Sequence, residues 1–227
     1  YALLTLSALI LTYAGWPWSI LLAWPAISLS ILALAYAGLG PAVFRKAGGR
    51  LPWSARIVLA PYLTGAWLSY RYYRRLGPAW SEIVQGILVG RRLEDAEAGE
   101  AVGRGVTAVL DLTAEYGECA RFLSLPYQNV QVLDLTAPTV AHLDDAVAFI
   151  RDHHPRGSVY VHCALGYSRS ACVVAAYLLA EGIAATVAEA IEYVRLARPE
   201  IVMTPQLLYL LRAFLEVDED VQVVADQ

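Results

Sequence analysis

The chain has 227 residues, of which 58% are hydrophobic, and a formal net charge of −4. Residues 1–80 hold seven basic residues and no acidic one, whereas residues 81–227 hold ten basic and all 21 acidic residues, a net charge of −11. This asymmetry indicates two environments rather than one globular domain, and the acidic second part gives no support to nucleic-acid binding.

Residues 1–44 are predicted to form two membrane-spanning helices. Residues 1–15 are an apolar run, and residues 18–39 supply 22 largely apolar residues, which is enough to cross a bilayer. The Gly-Trp-Pro-Trp sequence between these runs predicts a tight turn at the membrane interface. A buried helical hairpin in a soluble protein is the alternative. Because the chain begins without Met, we expect further residues upstream of Tyr1.

Residues 45–80 are predicted to form a basic helical linker that lies in the membrane interface or enters the bilayer partway. Ile57–Tyr70 is apolar but has only 14 residues and contains Pro61, so it is short for a membrane span. The Arg-Tyr-Tyr-Arg-Arg sequence at residues 71–75 predicts contact with anionic lipid headgroups. A solvated basic face without further purpose is the alternative for this patch.

The basic linker also predicts the orientation of the protein in the membrane. Basic residues favour the cytoplasmic side, so we expect an integral membrane protein with its C-terminal domain in the cytoplasm. The three cysteines give no convincing disulfide pattern, which agrees with a reducing compartment.

Residues 81–216 are predicted to form one α/β domain, followed by an acidic tail at residues 217–227. Apolar runs and turn residues predict strands at 87–89, 106–110, 130–133 and 159–162. Helical periodicity predicts helices at 140–153, 170–180, 187–198 and 205–216. The alternation of strands and helices indicates a central sheet flanked by helices.

The most informative segment, His162–Ala171, lies between a predicted strand and a predicted helix. Cys163 follows the strand, and five residues separate it from Arg169. Backbone N–H groups in such a loop, together with the helix dipole, favour an anion, most naturally a phosphate. The same field lowers the pKa of a thiol held there. We therefore predict that Cys163 attacks phosphorus while Arg169 holds two phosphoryl oxygens.

Other residues of this segment are predicted to support that chemistry. Gly166 allows the loop to turn at positive φ, Ser170 donates a hydrogen bond to the sulfur, and His162 orients the loop from behind. A zinc site is disfavoured because the other two cysteines lack metal-ligand spacing, and no metal or cofactor is predicted. The predicted phosphate-binding residues are Ala164, Leu165, Gly166, Tyr167, Ser168 and Arg169.

Asp134 is the predicted general acid. A phosphate monoester needs a proton on its leaving oxygen, and Asp134 ends a strand-like run and begins a Thr/Pro loop. The alternative is a capping role for the helix that starts near Thr139. Asp111, which ends the preceding strand-like run, is the second candidate, whereas Asp144 and Asp145 indicate an exposed helix face.

Residues 86–216 resemble the cysteine-dependent protein tyrosine and dual-specificity phosphatases. The sequence His-Cys, five residues, Arg and then Ser matches the signature of that superfamily, and residues 133–139 resemble its short acid loop. Arg198-Pro199 and residues 204–206 resemble its C-terminal helical region, and Asp134 lies 29 residues before Cys163, at the acid position. The resemblance implies a dual-specificity-phosphatase-like sheet and a phospho-cysteine intermediate. In this chain a transmembrane hairpin and an interfacial helix precede that domain.

Within this superfamily the sequence is most similar to the phosphatases that dephosphorylate phosphatidylglycerophosphate at membranes. Those enzymes carry a Glu-Glu-Tyr-Glu stretch after an early strand, which residues 111–118 retain in part. Ala114 replaces the first acidic residue, and Gly117 interrupts the stretch. The predicted headgroup-binding residues are Glu115 and Tyr116, together with Arg91 and Arg92, for which surface charge is the alternative.

Three functions follow from these patterns. The first is a membrane-anchored phosphomonoesterase acting on a lipid phosphate such as phosphatidylglycerophosphate or a phosphoinositide. The second is a protein tyrosine or dual-specificity phosphatase acting on a membrane-proximal phosphoprotein. The third, a phosphate-binding module without activity, is disfavoured because Cys163, Arg169 and Asp134 are all present.

Overall fold

The computed structural model describes the backbone of residues 18–225 and the side chains of residues 22–216. The chain divides into two compact units. The N-terminal unit comprises residues 1–73 and 114–117. The second unit comprises residues 74–113 and 118–227 and is called the catalytic unit after the chemistry that the sequence predicts for it.

The N-terminal unit is helical. Its helices are α1 (Trp18–Leu34), α2 (Trp53–Val58) and α3 (Ala60–Tyr73), and α1 continues into a π-helical turn (Ala35–Leu39) and a 3₁₀ turn (Gly40–Phe44). Leu22–Phe44, with 23 residues, is the one segment among the described residues that is long and apolar enough to cross a membrane. The other predicted span, at residues 1–15, lies outside the described residues.

Side chains of α1 compensate for the break between α2 and α3. Pro61 has no N–H, so the carbonyl of Ile57 lacks its usual helical donor. The indole Nε1 of Trp24 donates to that carbonyl at 2.9 Å, and the N–H of Tyr62 donates to Ser28 Oγ at 3.4 Å. The helix is therefore broken next to Pro61, as predicted, and side chains of α1 form hydrogen bonds with the backbone groups that the break leaves without helical partners.

The catalytic unit contains a five-stranded sheet in the order β1-β2-β5-β3-β4. The first two strands are antiparallel, and β2, β5, β3 and β4 are parallel neighbours. The register pairs Arg91 with Cys163 and Asp111 with His162, so the carboxyl ends of three strands meet at one edge. The strands are β1 (Trp80–Val84), β2 (Ile87–Arg91), β3 (Val106–Thr113), β4 (Tyr127–Val132) and β5 (Ser158–Cys163).

Helices cover both faces of this sheet, as the sequence predicts. Helix α7 is buried along almost its whole length between the sheet and its neighbouring helices, because its sequence is apolar on all sides. A smaller apolar cluster, which includes Phe122 and Tyr160, fills the opposite face. The helices are α4 (Asp95–Gly103), α5 (Ala120–Leu123), α6 (Val140–His153), α7 (Arg169–Ala180), α8 (Val187–Ala197) and α9 (Pro205–Ala225).

Several elements differ from the sequence-based prediction. Strand β1 and helix α4 have little apolar periodicity and were not predicted; α4 is stabilised by a capping box between Glu94 and Glu97. Strand β3 continues past its predicted end to Thr113, which pairs with Val132 of β4. The carboxylate of Asp111 accepts hydrogen bonds from Thr113 N–H and Oγ1 at 2.8 and 2.7 Å. Helix α9 extends to Ala225, beyond its predicted end at residue 216, since no Gly or Pro follows Pro205.

We predict that Gly90→Ala destabilises the catalytic unit. A Cβ at Gly90 would lie 2.0 Å from Tyr160 Oη and 2.7 Å from the carbonyl of Ala79, and overpacking of this kind costs about 1–3 kcal/mol. Denaturant unfolding of the purified protein measures the loss. Gly103→Ala, where a Cβ meets nothing within 4 Å, is the matched control. Equal stability of the two variants would contradict the packing described here.

Candidate active site

The loop between β5 and α7 closes around the sulfur of Cys163. The N–H of Gly166 donates to Cys163 Sγ at 3.3 Å. Gly166 has φ +75°, and a Cβ there would lie 2.5 Å from the backbone of Gly90, so only glycine fits. The loop is therefore folded inward between a strand end and a helix N-terminus, where backbone N–H groups favour an anion.

The surroundings of Cys163 favour its thiolate. Burial alone would raise the pKa of this thiol, but the guanidinium of Arg169, the Ser170 hydroxyl and the N–H groups of Ser170 and Gly166 bring that pKa below its ordinary value. Ser170 Oγ lies 3.5 Å from the sulfur. By contrast, burial raises the pKa of the Cys119 and Cys172 thiols to about 12.

Arg169 connects this loop to two strands and to the acid loop. Its side chain is 2% exposed. Nη1 donates to the carbonyls of Val132 at 2.8 Å and Leu112 at 3.4 Å, and Nη2 donates to Asp134 Oδ1 at 2.9 Å. The guanidinium is thereby fixed before any substrate arrives.

The structure places Asp134 beside this guanidinium rather than at a helix end. Its side chain is 48% exposed, so the carboxyl group is open to a ligand. Thr139, not Asp134, caps α6, since the N–H of His142 donates to Thr139 Oγ1 at 3.2 Å. Asp111, the second candidate acid, is buried and accepts the Tyr127 hydroxyl at 2.7 Å. Of the two aspartates, only Asp134 is exposed.

His162 lies fully buried behind the loop. Its Nε2 is 2.8 Å from Glu118 Oε2 and 3.9 Å from Asp111 Oδ1. Burial lowers the pKa of this imidazole, but the two carboxylates outweigh burial and raise the pKa above its ordinary value. Atoms of these three residues lie within 4.8 Å of one another, a grouping that can hold a metal. Here the ion pair between His162 and Glu118 accounts for their proximity, and the sequence analysis assigned no role to Glu118.

Arg198 holds the loop from its outer side. Its side chain is 1% exposed. Its Nε donates to the carbonyl of Gly166 at 2.8 Å, and Nη2 donates to the carbonyl of Leu165 at 3.0 Å. The guanidinium also lies 5.5 Å from the centre of the Tyr167 ring. Because these bonds occupy loop carbonyls, they leave the loop N–H groups directed inward. The only sequence signal for the loop-supporting role of Arg198 was the Arg198-Pro199 pair.

The predicted headgroup-binding arginines occupy different environments. Arg91 is buried, and its Nη2 lies 2.7 Å from Glu97 Oε1. Burial raises the pKa of Glu97, but Arg91 and further partners bring it down to about 2. The backbone N–H of Arg92 donates to the carbonyl of Ala164 at 3.1 Å, which places Arg92 beside the loop. Arg74, from the predicted lipid-facing patch, also pairs with Glu97, at 2.7 Å.

Glu115 and Tyr116 belong to the N-terminal unit. The hydroxyl of Tyr116 donates to the carbonyl of Ala66 at 2.9 Å, and buried Glu115 accepts the N–H of Ala114 at 3.0 Å. Contact with a headgroup stays a prediction for these two residues and for the arginines.

We predict that Ser170→Ala raises the pH at which activity appears. Loss of the hydroxyl removes one donor to the sulfur, so the pKa of Cys163 rises and the acid limb of kcat/KM moves to higher pH. The pH profile with an aryl phosphate measures the shift. Ser170→Thr keeps the hydroxyl and is the matched control. An unmoved limb in Ser170→Ala would show that this bond does not stabilise the thiolate.

The chain matches one protein-family model and is similar to several curated proteins. Residues 96–216 match the family model of the dual specificity phosphatase catalytic domain. Mouse dual specificity protein phosphatase 12 is 34% identical over 123 residues, which cover 52% of this chain and 36% of that protein. Rat phosphatidylglycerophosphatase and protein-tyrosine phosphatase 1 is 37% identical over 121 residues, which cover 48% of this chain and 61% of that protein.

A plant relative and two solved structures extend the comparison. Phosphatidylglycerophosphate phosphatase PTPMT2 of Arabidopsis thaliana is 42% identical over 72 residues, 31% of each chain. The chain thus spans from 31% to 61% of the length of these curated relatives. The crystal structure of PTPMT1 in complex with PI(5)P has a TM-score of 0.59 and 25% identity over 64% of this chain and 99% of that one. The crystal structure of Tk-PTP in the active form has a TM-score of 0.54 and 25% identity, and the match covers 61% of this chain and 97% of that one.

Proposed function

Because the chain belongs to the dual-specificity phosphatase family, we propose that it is a membrane-anchored enzyme that removes phosphate from a lipid. The family and the phosphatase-named relatives make the chain a cysteine-type phosphatase of phosphate monoesters. The proposal adds the residue roles, the lipid substrate and the membrane anchor.

The observation that carries the residue roles is the convergence of four side chains. Cys163 receives hydrogen bonds from Gly166 and Ser170, and Arg169 binds the exposed carboxyl group of Asp134. A nucleophile, a phosphate clamp and an acid therefore adjoin one inward-folded loop. A phosphate dianion in this loop competes with Asp134 for Arg169 Nη2, which releases the carboxyl group to face the leaving oxygen.

The reaction then proceeds in two steps. In the first, the Cys163 thiolate forms a bond to phosphorus, the bond to the leaving alcohol breaks, and Asp134 gives its proton to that oxygen. Arg169 and the loop N–H groups hold the phosphoryl oxygens throughout. In the second, water attacks phosphorus, Asp134 accepts a proton from it, and the S–P bond breaks. The Ser170 hydroxyl stabilises the thiolate that leaves.

A lipid substrate is supported by two independent facts. Two of the three relatives described above have phosphatidylglycerophosphate phosphatase activity in their names, and PTPMT1 was crystallised with PI(5)P. The chain also carries a 23-residue apolar segment of membrane-spanning length. An anchored active site meets membrane-confined substrates at high effective concentration. We place the catalytic unit on the cytoplasmic side because the flanking residues 45–75 are basic.

A phosphoprotein substrate is the second candidate, since a dual specificity protein phosphatase is also a relative. We predict that the purified full chain releases phosphate from phosphatidylglycerophosphate or a phosphoinositide at least about tenfold faster than from phosphotyrosine peptides. A tenfold preference corresponds to about 1.4 kcal/mol in transition-state binding. Phosphate release from the three substrates side by side measures it, with Cys163→Ser as the blank. A preference for peptides would overturn the lipid assignment, and turnover by Cys163→Ser would overturn the nucleophile.

We further predict that Asp134→Asn affects substrates according to their leaving group. An alkyl phosphate needs a proton on its leaving oxygen, so its turnover should fall by about a hundredfold or more. An aryl phosphate with a low-pKa phenol needs little protonation and should lose only a few-fold. Single-turnover rates on both substrates test this. Asp145→Asn, on the exposed face of α6, is the matched control, and equal losses on both substrates would move the acid elsewhere.

A further inference from the structure

Leu135, the residue after Asp134, is exposed in a way that the fold does not explain. It is 92% exposed. It also has φ +58° and is, with Arg45, one of two non-glycine residues with positive φ among the described residues. Leucine is unfavourable at this position for two reasons. Gly or Asn adopts a positive φ at lower cost, and an exposed leucine leaves its apolar side chain in water. An apolar side chain held in this position points to an apolar ligand.

An apolar groove begins two residues further along the same loop. It has a volume of about 520 Å³ and runs between the acid loop and helix α9. Neither an acidic nor a basic side chain lines it, and Tyr209 at its rim is 75% exposed. The lining residues are Ala137 and Pro138 from the loop, Val140 from α6, and Pro205, Gln206, Tyr209, Leu210 and Ala213 from α9.

The position of Leu135 and the groove limits which ligands they can contact. Asp134 binds the guanidinium of Arg169 at 2.9 Å, so Leu135 follows directly on a residue of the proposed phosphate site. The groove begins at Ala137 of the same loop, which makes a molecule whose phosphate lies at Cys163 the natural occupant to test. The uncharged lining suits hydrocarbon better than a headgroup or a charged peptide. Tyrosine, with an apolar ring and a polar tip, is a side chain suited to a membrane interface.

The proposed membrane anchor belongs to the same chain as the catalytic unit. The 23-residue apolar segment Leu22–Phe44 is separated by 29 residues from Arg74, where that unit begins. A covalent tether of this length keeps an active site near the surface in which its anchor lies.

We propose that Leu135 and the groove form a lipid-contacting surface that takes the acyl region of a bilayer phospholipid whose phosphate lies in the Cys163 loop. This inference rests on the proposed lipid phosphatase function and deepens it. The surface favours phosphate monoesters of acylated lipids that are presented in a membrane over soluble phosphate esters.

The test uses Leu135→Asn in the full chain. Asparagine tolerates the left-handed backbone region, so the acid loop keeps its conformation while its apolar side chain is lost. The rate on long-chain phosphatidylglycerophosphate in vesicles is divided by the rate on a soluble aryl phosphate. We expect this ratio to fall at least about fivefold, in proportion to the apolar area withdrawn from the lipid. Tyr209→Ser, on the other wall of the groove, should lower the same ratio without touching the acid loop.

Leu196→Asn is the matched control, since Leu196 is 75% exposed on α8 and lies outside the groove lining. A fall in both rates by the same factor would show that Leu135 acts through Asp134, and an unchanged ratio would show no lipid contact; either result overturns the inference. If the wild-type chain hydrolyses aryl phosphate but no lipid phosphate, the proposed function itself fails, and the inference fails with it. The wild-type measurement therefore separates the two failures before any variant is compared.

Discussion

The buried guanidinium of Arg169 is the interaction on which the architecture of the site depends. A charged group that is 98% withdrawn from water must find hydrogen-bond acceptors inside the protein. Its acceptors come from three segments that are distant in sequence: the end of β3 at Leu112, the end of β4 at Val132, and Asp134 in the acid loop. The helix that presents Arg169, the two strand ends and the acid loop are thereby held in one arrangement. Preorganisation of this kind is what electrostatic catalysis requires.

A second buried charge lies on the other side of strand β5. Successive side chains of a strand point to opposite faces, so Cys163 lies in the apolar cluster with α7 while His162 lies near Phe122 and Tyr160. On that face His162 Nε2 lies 2.8 Å from Glu118 Oε2. Because of this alternation, the proposed nucleophile lies on one face of the sheet and the ion pair between His162 and Glu118 lies on the other. Arg198 completes the support by bonding to loop carbonyls at Gly166 and Leu165.

The N-terminal unit satisfies the backbone groups at its helix break with its own side chains. Where Pro61 interrupts the helix, Trp24 and Ser28 of α1 supply the missing partners of the backbone, as is required wherever water cannot do so. Its exposed surface carries large apolar side chains, among them Trp53 at 76% and Leu68 at 56% exposure. A membrane is the environment that we propose for these side chains, and it is also the environment of the proposed substrate.

Much of this protein could be predicted from sequence because its signals are local. The spacing of Cys163 and Arg169, the strand before them and the helix after them fall within a few residues, and the resulting fold class is confirmed. The periodicity that defines α6 to α8 is equally local, and their bounds agree with prediction to within one residue. Strand β1 and helix α4 lack such a pattern: β1 forms by pairing with β2 at the edge of the sheet, and α4 is stabilised by its capping box.

What the tertiary structure decided concerns pairs of residues far apart in the chain. Asp111 and Asp134 were both predicted to end apolar strands. Only the structure shows that Asp111 is buried against Tyr127 whereas Asp134 binds Arg169. The pairing of Glu118 with His162, and of Arg198 with the loop carbonyls, spans 44 and 32 residues respectively. No local pattern encodes such contacts, because they arise only when the sheet brings distant segments to one edge. The sequence by itself determined the chemistry that the loop can perform, whereas the folded chain determined which carboxyl group, which buried cation and which apolar surface stand beside it.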